Sequence, residues 1–415
     1  MMNILVINAG SSSVKFTLYP SDQMRPAAGG IVERIGLANT AVHYRNARDE
    51  QVSREVALGG LRDALELISG LLTDPLKGAI DSDQEISAVG HRVVHGGEKM
   101  KASVLVDEAV KAEIRSCIDL APLHNPPNLK CIEACEERFP GTPQVAVFDT
   151  AFHGSLPAQA YLYALPYALY ETDKIRRYGF HGTSHRYVSR KAAETLGRPL
   201  QDLRLVTCHL GNGCSMTAVD RGQSVDTSMG FTPLEGLPMG TRSGDIDPAI
   251  LLYLMRQRGL TAKQADTLLN RESGFLGLGG TGSSDMRDLE KNMEHGDLRA
   301  QRVIQVFTYR IKKYIGAYAF AMGGLDAIVF TAGIGENSPL IRELACGGLE
   351  DMGIRIDEDR NHKLGGGIRE IHHPESRVGV LVIPTDEERE IALETVELVG
   401  QELTLKTQSR GKTEI

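Results

Sequence analysis

The chain has 415 residues, of which 41% are hydrophobic and 24% are charged, a balance typical of globular proteins rather than disordered or fibrous ones. Its 46 basic and 54 acidic side chains give a formal net charge of −8 at pH 7, which argues against a nucleic-acid-binding or membrane-surface protein. The longest apolar stretch, residues 314–325, is too short to span a bilayer, and the N-terminus does not resemble a signal peptide. We expect a soluble, cytoplasmic protein that binds neither nucleic acid nor membrane.

The first predicted element is a hairpin with a polar turn. The apolar run at residues 4–7 leads into Asn, Ala, Gly and Ser at residues 8–13, and a second apolar run follows at residues 14–18. A similar unit returns around Gly211-Asn212-Gly213, and a third glycine turn follows the apolar run at residues 327–331. Each turn alone is more often ordinary hairpin chemistry. Three of them indicate a nucleotide site, because successive backbone N–H groups in such turns bind anions.

Helical periodicity fills the segments between these turns. Asp107, Ser184 and Asp297 are predicted to cap the N-termini of helices that end near residues 120, 196 and 322. Proline-rich sequence after residue 155 places a domain boundary near residue 150. The last predicted strand leads into a final helix at about residues 387–400. The pattern predicts two α/β halves that arose by duplication.

Charged side chains stand at the ends of several predicted strands. Arg92 and Arg242 lie close to glycines, Asp149 ends a strand, and His181 precedes the start of a helix. Any one of these positions, taken alone, is more often a helix cap or a surface ion pair. Two arginines in such places, however, suit bidentate capture of a carboxylate or a phosphoryl group.

Six cysteines in a chain of this length do not indicate a disulfide framework. Cys131 and Cys135 are four residues apart in a predicted helix, a spacing that could place two metal ligands on one face. No matching Cys or His pair accompanies them in the sequence. We therefore favour a buried helix face over a metal site for these two residues.

Together, the motifs resemble those of the acetate/butyrate kinase family, in the actin–sugar kinase–Hsp70 superfamily. The matching segments, in chain order, are residues 8–15, 90–97, 148–153, 178–185, 209–213, 239–245, 284–287, 333–337 and 384–388. The resemblance implies an α/β, two-domain actin-like ATPase fold of duplicated ribonuclease H-like domains with a central nucleotide cleft. Residues 1–150, joined by the C-terminal helix at about 387–400, would hold the acyl substrate and the metal, and residues 151–386 would bind the nucleotide.

The activity implied by the resemblance is reversible transfer of the γ-phosphoryl group of ATP to acetate, giving acetyl phosphate and ADP. The resemblance also implies Mg²⁺ as cofactor, with Mn²⁺ as an alternative, and a homodimer. A carboxylate substrate is already ionised at neutral pH and needs no general base. Asp149 is therefore interpreted as an orienting group rather than a proton acceptor.

The family pattern also assigns roles to individual residues of this chain. The transferring group would be surrounded by Arg92, Asp149, His181 and Arg242, and the acyl group would contact Arg92, Val94, Leu123, Phe180 and Pro233. ATP would be bound by Ser11, Ser13, Lys15, His209, Leu210, Gly211, Asn212, Gly213, Asp285, Met286, Arg287, Gly333, Ile334, Gly335, Glu336 and Asn337. The metal ligands would be Asn8 and Glu387. Asp386, where the family more often has Asn, adds a carboxylate beside Glu387.

Two other functions remain open at this point. A propionate or butyrate kinase of the same family would use the same chemistry with a larger acyl pocket. An ATPase of the actin or Hsp70 type would use its nucleotide site for conformational change, without acyl transfer. The arginine, aspartate and histidine set favours acyl transfer, because hydrolysis requires no carboxylate-binding arginines.

Overall fold

A computed structural model of the chain describes residues 2–37, 39–280, 282–363 and 365–410. The chain divides into two compact units. Unit 1 combines the N-terminal part, up to Gly154, with the C-terminal segment that starts at Asp386, and unit 2 runs from Ser155 to Thr385. No helix among the described residues is both long enough and apolar enough to cross a membrane.

The strands of the described residues are β1 (Asn3–Ala9), β2 (Ser13–Pro20), β3 (Ala28–Glu33), β4 (Thr40–Asn46), β5 (Gln51–Val56), β6 (Ile86–Val93), β7 (Val104–Leu105), β8 (Gln144–Phe148), β9 (Arg204–Leu210), β10 (Cys214–Asp220), β11 (Gln223–Thr227), β12 (Ala327–Thr331), β13 (Arg369–Glu370) and β14 (Gly379–Val382). Their α-helices are α1 (Leu61–Leu72), α2 (Glu108–Ser116), α3 (Asn125–Arg138), α4 (Ala158–Tyr161), α5 (Tyr167–Asp173), α6 (Gly182–Leu196), α7 (Pro248–Arg258), α8 (Ala262–Arg271), α9 (Gly274–Gly279), α10 (Met286–Glu294), α11 (Leu298–Ala321), α12 (Ala332–Asn337), α13 (Pro339–Cys346), α14 (Glu358–His362) and α15 (Glu387–Arg410).

Unit 1 is built on a sheet with the strand order β5-β4-β3-β2-β1-β6-β8-β7. Strands β1 to β5 are antiparallel neighbours, whereas β1, β6 and β8 are parallel. The run Ile4 to Ile7 is buried on both faces of the sheet. Leu5 and Ile7 belong to a core shared with α1 and α3, and Ile4 and Val6 to a core shared with α15. A strand covered on both faces reads as a continuous apolar run, as this one does.

Unit 2 repeats the same topology. Its strand order is β11-β10-β9-β12-β14-β13, in which β9, β10 and β11 are antiparallel and β9, β12 and β14 are parallel. The order β11-β10-β9-β12-β14 corresponds, strand by strand, to β3-β2-β1-β6-β8 of unit 1. The predicted α/β fold with two duplicated halves is thereby confirmed.

The parallel strands bring the polar turns of each unit to one edge of its sheet, since the carboxyl ends of parallel strands point the same way. In unit 1 the segments after β1, β6 and β8 carry Gly10, Val94 and Asp149. In unit 2 the segment after β9 is the second predicted glycine turn, whereas the segment after β12, predicted as the third turn, forms α12.

The helix starts were predicted with mixed success. Asp107 and Asp297 cap α2 and α11, as expected, by accepting hydrogen bonds from backbone N–H groups. The prediction that Ser184 caps a helix is wrong. Helix α6 begins at Gly182, and the N-cap position is held by His181, in the left-handed conformation (φ 56°). Ser184 instead uses its hydroxyl group within the candidate site.

Candidate active site

Arg92 and Asp149 form a bidentate ion pair in unit 1. Arg92 lies near the end of β6 and Asp149 directly follows the neighbouring parallel strand β8. The Nε and Nη2 atoms of Arg92 donate hydrogen bonds of 3.0 and 2.7 Å to the two carboxylate oxygens of Asp149. Asp149 is 2% exposed, and its negative charge raises the pKa of Arg92. The structure therefore holds this arginine charged and in a fixed orientation.

The beginning of α15 adds carboxylates to unit 1. The Glu387 Oε2 atom lies 4.0 Å from Arg92 Nε, and burial raises the pKa of this glutamate although Arg92 acts in the opposite direction. Asp386 caps the helix by accepting from the backbone N–H of Arg389 at 3.0 Å, and it also accepts from the Tyr19 hydroxyl at 3.4 Å. The additional carboxylate is thus occupied in helix capping.

Lys15 and Asn8 lie opposite each other in the β1–β2 hairpin. The Nζ atom of Lys15 is 2.6 Å from Glu388 Oε1, and the Thr17 hydroxyl donates to the other oxygen of that glutamate at 2.8 Å. The Lys15 side chain is about half exposed. Ser11 and Ser13 lie in the turn of the same hairpin, which is closed by a hydrogen bond from Gly10 N–H to the Ser13 carbonyl.

The predicted acyl-contact residues belong to both units. Val94 is buried, and its backbone N–H donates to Asn128 Oδ1 at 3.2 Å. Leu123, also in unit 1, is 63% exposed. Phe180 is buried, and both Phe180 and Pro233 belong to unit 2.

In unit 2, His181 begins a hydrogen-bonded chain of side chains. Its Nδ1 atom lies 2.9 Å from Ser215 Oγ, which lies 2.7 Å from His185 Nε2. His185 Nδ1 in turn lies 2.7 Å from Thr207 Oγ1. Ser215, His185 and Thr207 are fully buried. Sequence reasoning missed these three residues; the only signal was the four-residue spacing of His181 and His185, which places both near one face of a helix.

His209 stacks against His181, with their ring centroids 4.2 Å apart. The Nδ1 atom of His209 is 2.8 Å from Ser184 Oγ, and that hydroxyl is also 2.8 Å from Thr385 Oγ1. Ser184 therefore orients a predicted phosphate-binding residue.

The left-handed backbone of His181, which costs about 1–3 kcal/mol in a residue other than glycine, is the kind of strain found at functional sites.

Arg242 lies beside His181 in the same unit. A Cβ atom placed on Gly213 would be 3.4 Å from His181 Cε1 and 3.6 Å from Arg242 Nη1, so both side chains approach this glycine closely. Arg242 Nη1 donates to the Pro233 carbonyl at 3.1 Å, and burial lowers the pKa of Arg242. In the described part of the chain, no carboxylate forms an ion pair with Arg242. The arrangement leaves a partly desolvated cation available to an anionic ligand.

A cavity of about 750 Å³ in unit 2 gathers the predicted nucleotide-binding segments. It is lined by Gly211, Asn212, Ser284, Asp285, Met286, Arg287, Glu290, Gly333, Ile334, Asn337 and Ser338. The residues not predicted from the sequence are Ser284, Glu290 and Ser338. The lining does not include His209, Leu210, Gly213, Gly335 or Glu336. Glu336 instead accepts a hydrogen bond from the Thr385 backbone at 3.2 Å.

Asp285 and Arg287 shape one wall of this cavity. Asp285 caps α10 through the backbone N–H of Arg287 at 2.9 Å, and the two side chains form an ion pair of 2.6 Å. Arg287 remains 87% exposed. An exposed, planar guanidinium at the rim of a cavity is suited to stacking on an aromatic ring.

Comparison with known proteins identifies the family of this chain. A family model described as the acetokinase family matches residues 3–393. Acetate kinase from Dictyoglomus turgidum is 53% identical over 405 residues, which cover 98% of this chain and all of that protein. The crystal structure of Porphyromonas gingivalis acetate kinase superimposes with a TM-score of 0.92 at 47% identity, covering 96% of this chain and 100% of the other.

A crystal structure of a propionate kinase from Francisella tularensis is also similar, at 41% identity and a TM-score of 0.88, again over 96% of this chain and 100% of the other. The family suggested by the sequence motifs is thereby confirmed. With a family model matching nearly its whole length and relatives above 50% identity, this chain belongs to the acetokinase family.

Proposed function

We propose that this protein catalyses the reversible transfer of the γ-phosphoryl group of ATP to acetate, giving acetyl phosphate and ADP. As an acetokinase-family member with acetate kinase relatives along its whole length, it is an ATP-dependent carboxylate kinase. The observation that best supports the proposed transfer is the position of Arg242 beside His181 at Gly213. Among the described residues, Arg242 has no carboxylate partner. It lies at the glycine turn of residues 211–213, which contributes to the lining of the nucleotide cavity.

The two units would bind different substrates. Unit 1 would be the acyl-substrate and metal domain, and unit 2 would be the nucleotide-binding domain. In unit 1, Asp149 occupies the Nε and Nη2 edge of Arg92, which leaves Nη1 to bind the acetate carboxylate. Because acetate is already ionised, no side chain needs to remove a proton from it.

In unit 2, His181 and Arg242 would stabilise the transferring phosphoryl group. Its transition state carries negative charge on the equatorial oxygens, and fixed donors aimed at that charge lower the barrier. The nucleotide would lie in the cavity between the Asp285–Arg287 wall and Gly333 near the start of α12. Lys15 of unit 1 would contribute a further positive charge to the phosphates.

The buried chain of hydroxyl groups and imidazoles supports a donor role for His181. If Thr207 donates to His185 Nδ1, then His185 Nε2–H donates to Ser215 and Ser215 donates to His181 Nδ1. His181 then carries its proton on Nε2 and presents an N–H donor while remaining neutral. We propose this direction of the chain, because the opposite direction would turn a lone pair of neutral His181 toward an anion.

Asn8 and Glu387 are proposed to hold Mg²⁺ in unit 1. Amide and carboxylate oxygens are the ligands that Mg²⁺ prefers, and Mn²⁺ accepts the same set. The residues fit the ion in donor type, and the Glu387 carboxylate lies 4.0 Å from Arg92 Nε, beside the Arg92–Asp149 pair. When bound, the ion would neutralise charge on the phosphate oxygens. Asp386 is not proposed as a ligand, because helix capping already engages it.

A homodimer is proposed from the surface of unit 2. Helix α7 has no buried residue, and Ile250, Leu252 and Tyr253 on it are 48–56% exposed. Tyr309 and Phe320 on α11 are 62% and 80% exposed. Exposed apolar surface of this extent indicates a protein interface, and a second copy of the chain is the occupant we propose.

ATP as co-substrate supports a cytoplasmic location, which belongs to the same proposal.

Acetate-dependent release of ADP tests the proposed function directly. An acyl kinase should release ADP from ATP only when a carboxylate acceptor is present, whereas an ATPase of the actin or Hsp70 type would release it without acetate. Equal rates with and without acetate would contradict the proposal. The similarity to a propionate kinase keeps propionate as the second candidate acceptor.

A further inference from the structure

Three potential metal ligands meet inside unit 1, and neither proposed magnesium ligand is among them. Cys131 and Cys135 lie one turn apart on α3, and His91 lies on β6. The two sulfur atoms and an imidazole nitrogen all lie within 4.8 Å of one another. The three residues are 1%, 0% and 2% exposed, respectively. The preference for a plain buried helix face rested on the lack of a matching Cys or His pair in the sequence, and the fold adds one histidine to the two cysteines.

Gln144 determines which nitrogen of His91 can bind a ligand. Its Nε2 amide group donates to the Thr142 carbonyl at 3.0 Å, so its Oε1 atom is the one that faces His91 Nε2 at 2.7 Å. His91 Nε2 must therefore carry the proton, which leaves the lone pair on Nδ1. A histidine that donates its second N–H to a fixed acceptor is the usual arrangement around protein-bound metals.

The two thiols and the imidazole also match a divalent cation in charge. Both thiols are buried, at 1% and 0% exposed. A coordinated metal ion deprotonates such a thiol. Two thiolates and a neutral imidazole would cancel the charge of a divalent cation, which removes most of the cost of burying it.

We propose that His91, Cys131 and Cys135 bind a thiophilic divalent cation, of which Zn²⁺ is the representative. Binding would form two metal–sulfur bonds and one metal–nitrogen bond, and two thiol protons would be released to solvent. In a tetrahedral zinc site the ligand atoms are about 3.5–3.8 Å apart. The cluster would therefore contract by at most about 1 Å.

The cation would cross-link the two elements that carry the acyl-binding segment. His91 directly precedes Arg92 on β6. On α3, Asn128 binds the backbone N–H of Val94, and Asn125 binds the backbone N–H of His95 at 3.1 Å. A metal ion that joins α3 to β6 would thus stabilise the contact between these two elements. The positions of Arg92 and Val94 depend on that contact.

Cobalt is the most informative probe, because Co²⁺ bound to thiolates has a charge-transfer band in the near ultraviolet and Co²⁺ bound to carboxylates lacks it. The full-length protein would be produced in cobalt-supplemented medium and purified by gel filtration. We expect about one cobalt per chain in this state, together with the band. Cys131→Ala and Cys135→Ala should lose the band, whereas Cys117→Ala, a buried thiol of the same unit outside the cluster, should retain it. Gln144→Leu should weaken affinity by about 10–100-fold.

Failure of the wild-type protein to show the band would overturn the proposal without recourse to any variant. Retention of the full band by either Cys131→Ala or Cys135→Ala would also overturn it. Circular dichroism of each metal-free variant separates loss of the site from loss of the fold. Release of about two protons for each cobalt bound, measured in weakly buffered solution, is an independent check on the wild-type protein.

Discussion

Both carboxylate oxygens of Asp149 accept hydrogen bonds from the guanidinium group of Arg92, at 3.0 and 2.7 Å. An aspartate with both oxygens engaged in this way orients the arginine. On the side that faces Arg92, its lone pairs are directed at the guanidinium group rather than at a substrate proton. The ion pair joins the ends of β6 and β8, so the position of Arg92 depends on the sheet rather than on a flexible loop.

Replacement of Asp149 by Asn tests this orienting role. The amide retains the shape but loses the charge, and one Arg92 donor then faces an NH₂ group. Hydrogen bonds to charged groups contribute about 1.5–3 kcal/mol, so we expect kcat/KM to fall about 10–150-fold. The profile of kcat against pH should keep its shape. Loss of an acidic limb in Asp149→Asn would instead identify Asp149 as a general base.

His181→Ala should lower kcat about 100-fold or more, the effect of removing one preorganised donor, while KM for acetate changes little. Ser215→Ala should reproduce part of this loss, because it removes the hydrogen bond to Nδ1, and Ser215→Thr should restore activity by restoring the hydroxyl group. Steady-state kinetics with varied acetate give both constants. Near-normal kcat with a large increase in KM for His181→Ala would contradict the proposed role.

Arg92→Lys and Arg242→Lys retain the positive charge but lose the planar guanidinium. Arg92 presents one edge to Asp149 and Arg242 is fixed by the Pro233 carbonyl, so in both cases the geometry of the remaining N–H groups matters. We expect a sharp fall in kcat/KM for each variant. If both lysine variants keep most of the wild-type value, charge alone is sufficient and bidentate binding plays no part.

Val94→Ala should change the preference among carboxylic acids. An apolar pocket discriminates by about 1–3 kcal/mol per methylene group, so wild-type protein should prefer acetate over propionate by at most about 10–200-fold. The variant should narrow or invert this ratio of kcat/KM, with KM for ATP nearly unchanged. An unchanged ratio would place the acyl pocket elsewhere.

The stability of the fold should fall in mild acid because of His95. This residue is fully buried, accepts a hydrogen bond from Gly97 N–H on Nδ1, and has its pKa lowered by burial to about 4. The unfolded chain takes up the proton near pH 6.5, so stability decreases as pH falls from about 6.5 to 4, by up to about 3 kcal/mol. Urea unfolding at several pH values should show this loss, and His95→Gln should reduce it. An unchanged pH dependence in that variant would exclude His95 as the cause.

Local sequence patterns predicted the parts of the fold that local chemistry determines. The turns at Gly10 and Gly211 follow apolar strands in the structure, as expected, whereas the predicted turn at Gly333 is wrong, because Gly333 lies within α12. The two-residue spacing of Arg92 and Val94 on an apolar run predicts a shared strand face, but β6 ends at Val93, so Val94 lies beyond the strand. The end of a strand depends on its neighbours in the sheet, which one-dimensional periodicity does not reveal.

The contacts that join distant segments were not predictable from the sequence. Ser215 and Thr207 reach the histidines of α6 only because of the register between β9 and β10, in which Ser215 pairs with His209 and Thr217 with Thr207. His91 reaches Cys131 and Cys135 only because α3 packs on β6. Such contacts arise from tertiary packing, so no residue spacing within a single segment predicts them.

Trapping of the acyl phosphate is the measurement that tests the central claim most directly. The purified protein would be incubated with ATP, Mg²⁺ and acetate in the presence of hydroxylamine, which converts acetyl phosphate to acetohydroxamate. We predict acetohydroxamate in a one-to-one ratio with the ADP formed, and formation of both products slower by about 100-fold or more in His181→Ala at matched enzyme concentration. ADP formed without acetohydroxamate, at a rate independent of acetate, would show that this protein hydrolyses ATP and would contradict its assignment as an acetate-phosphorylating enzyme.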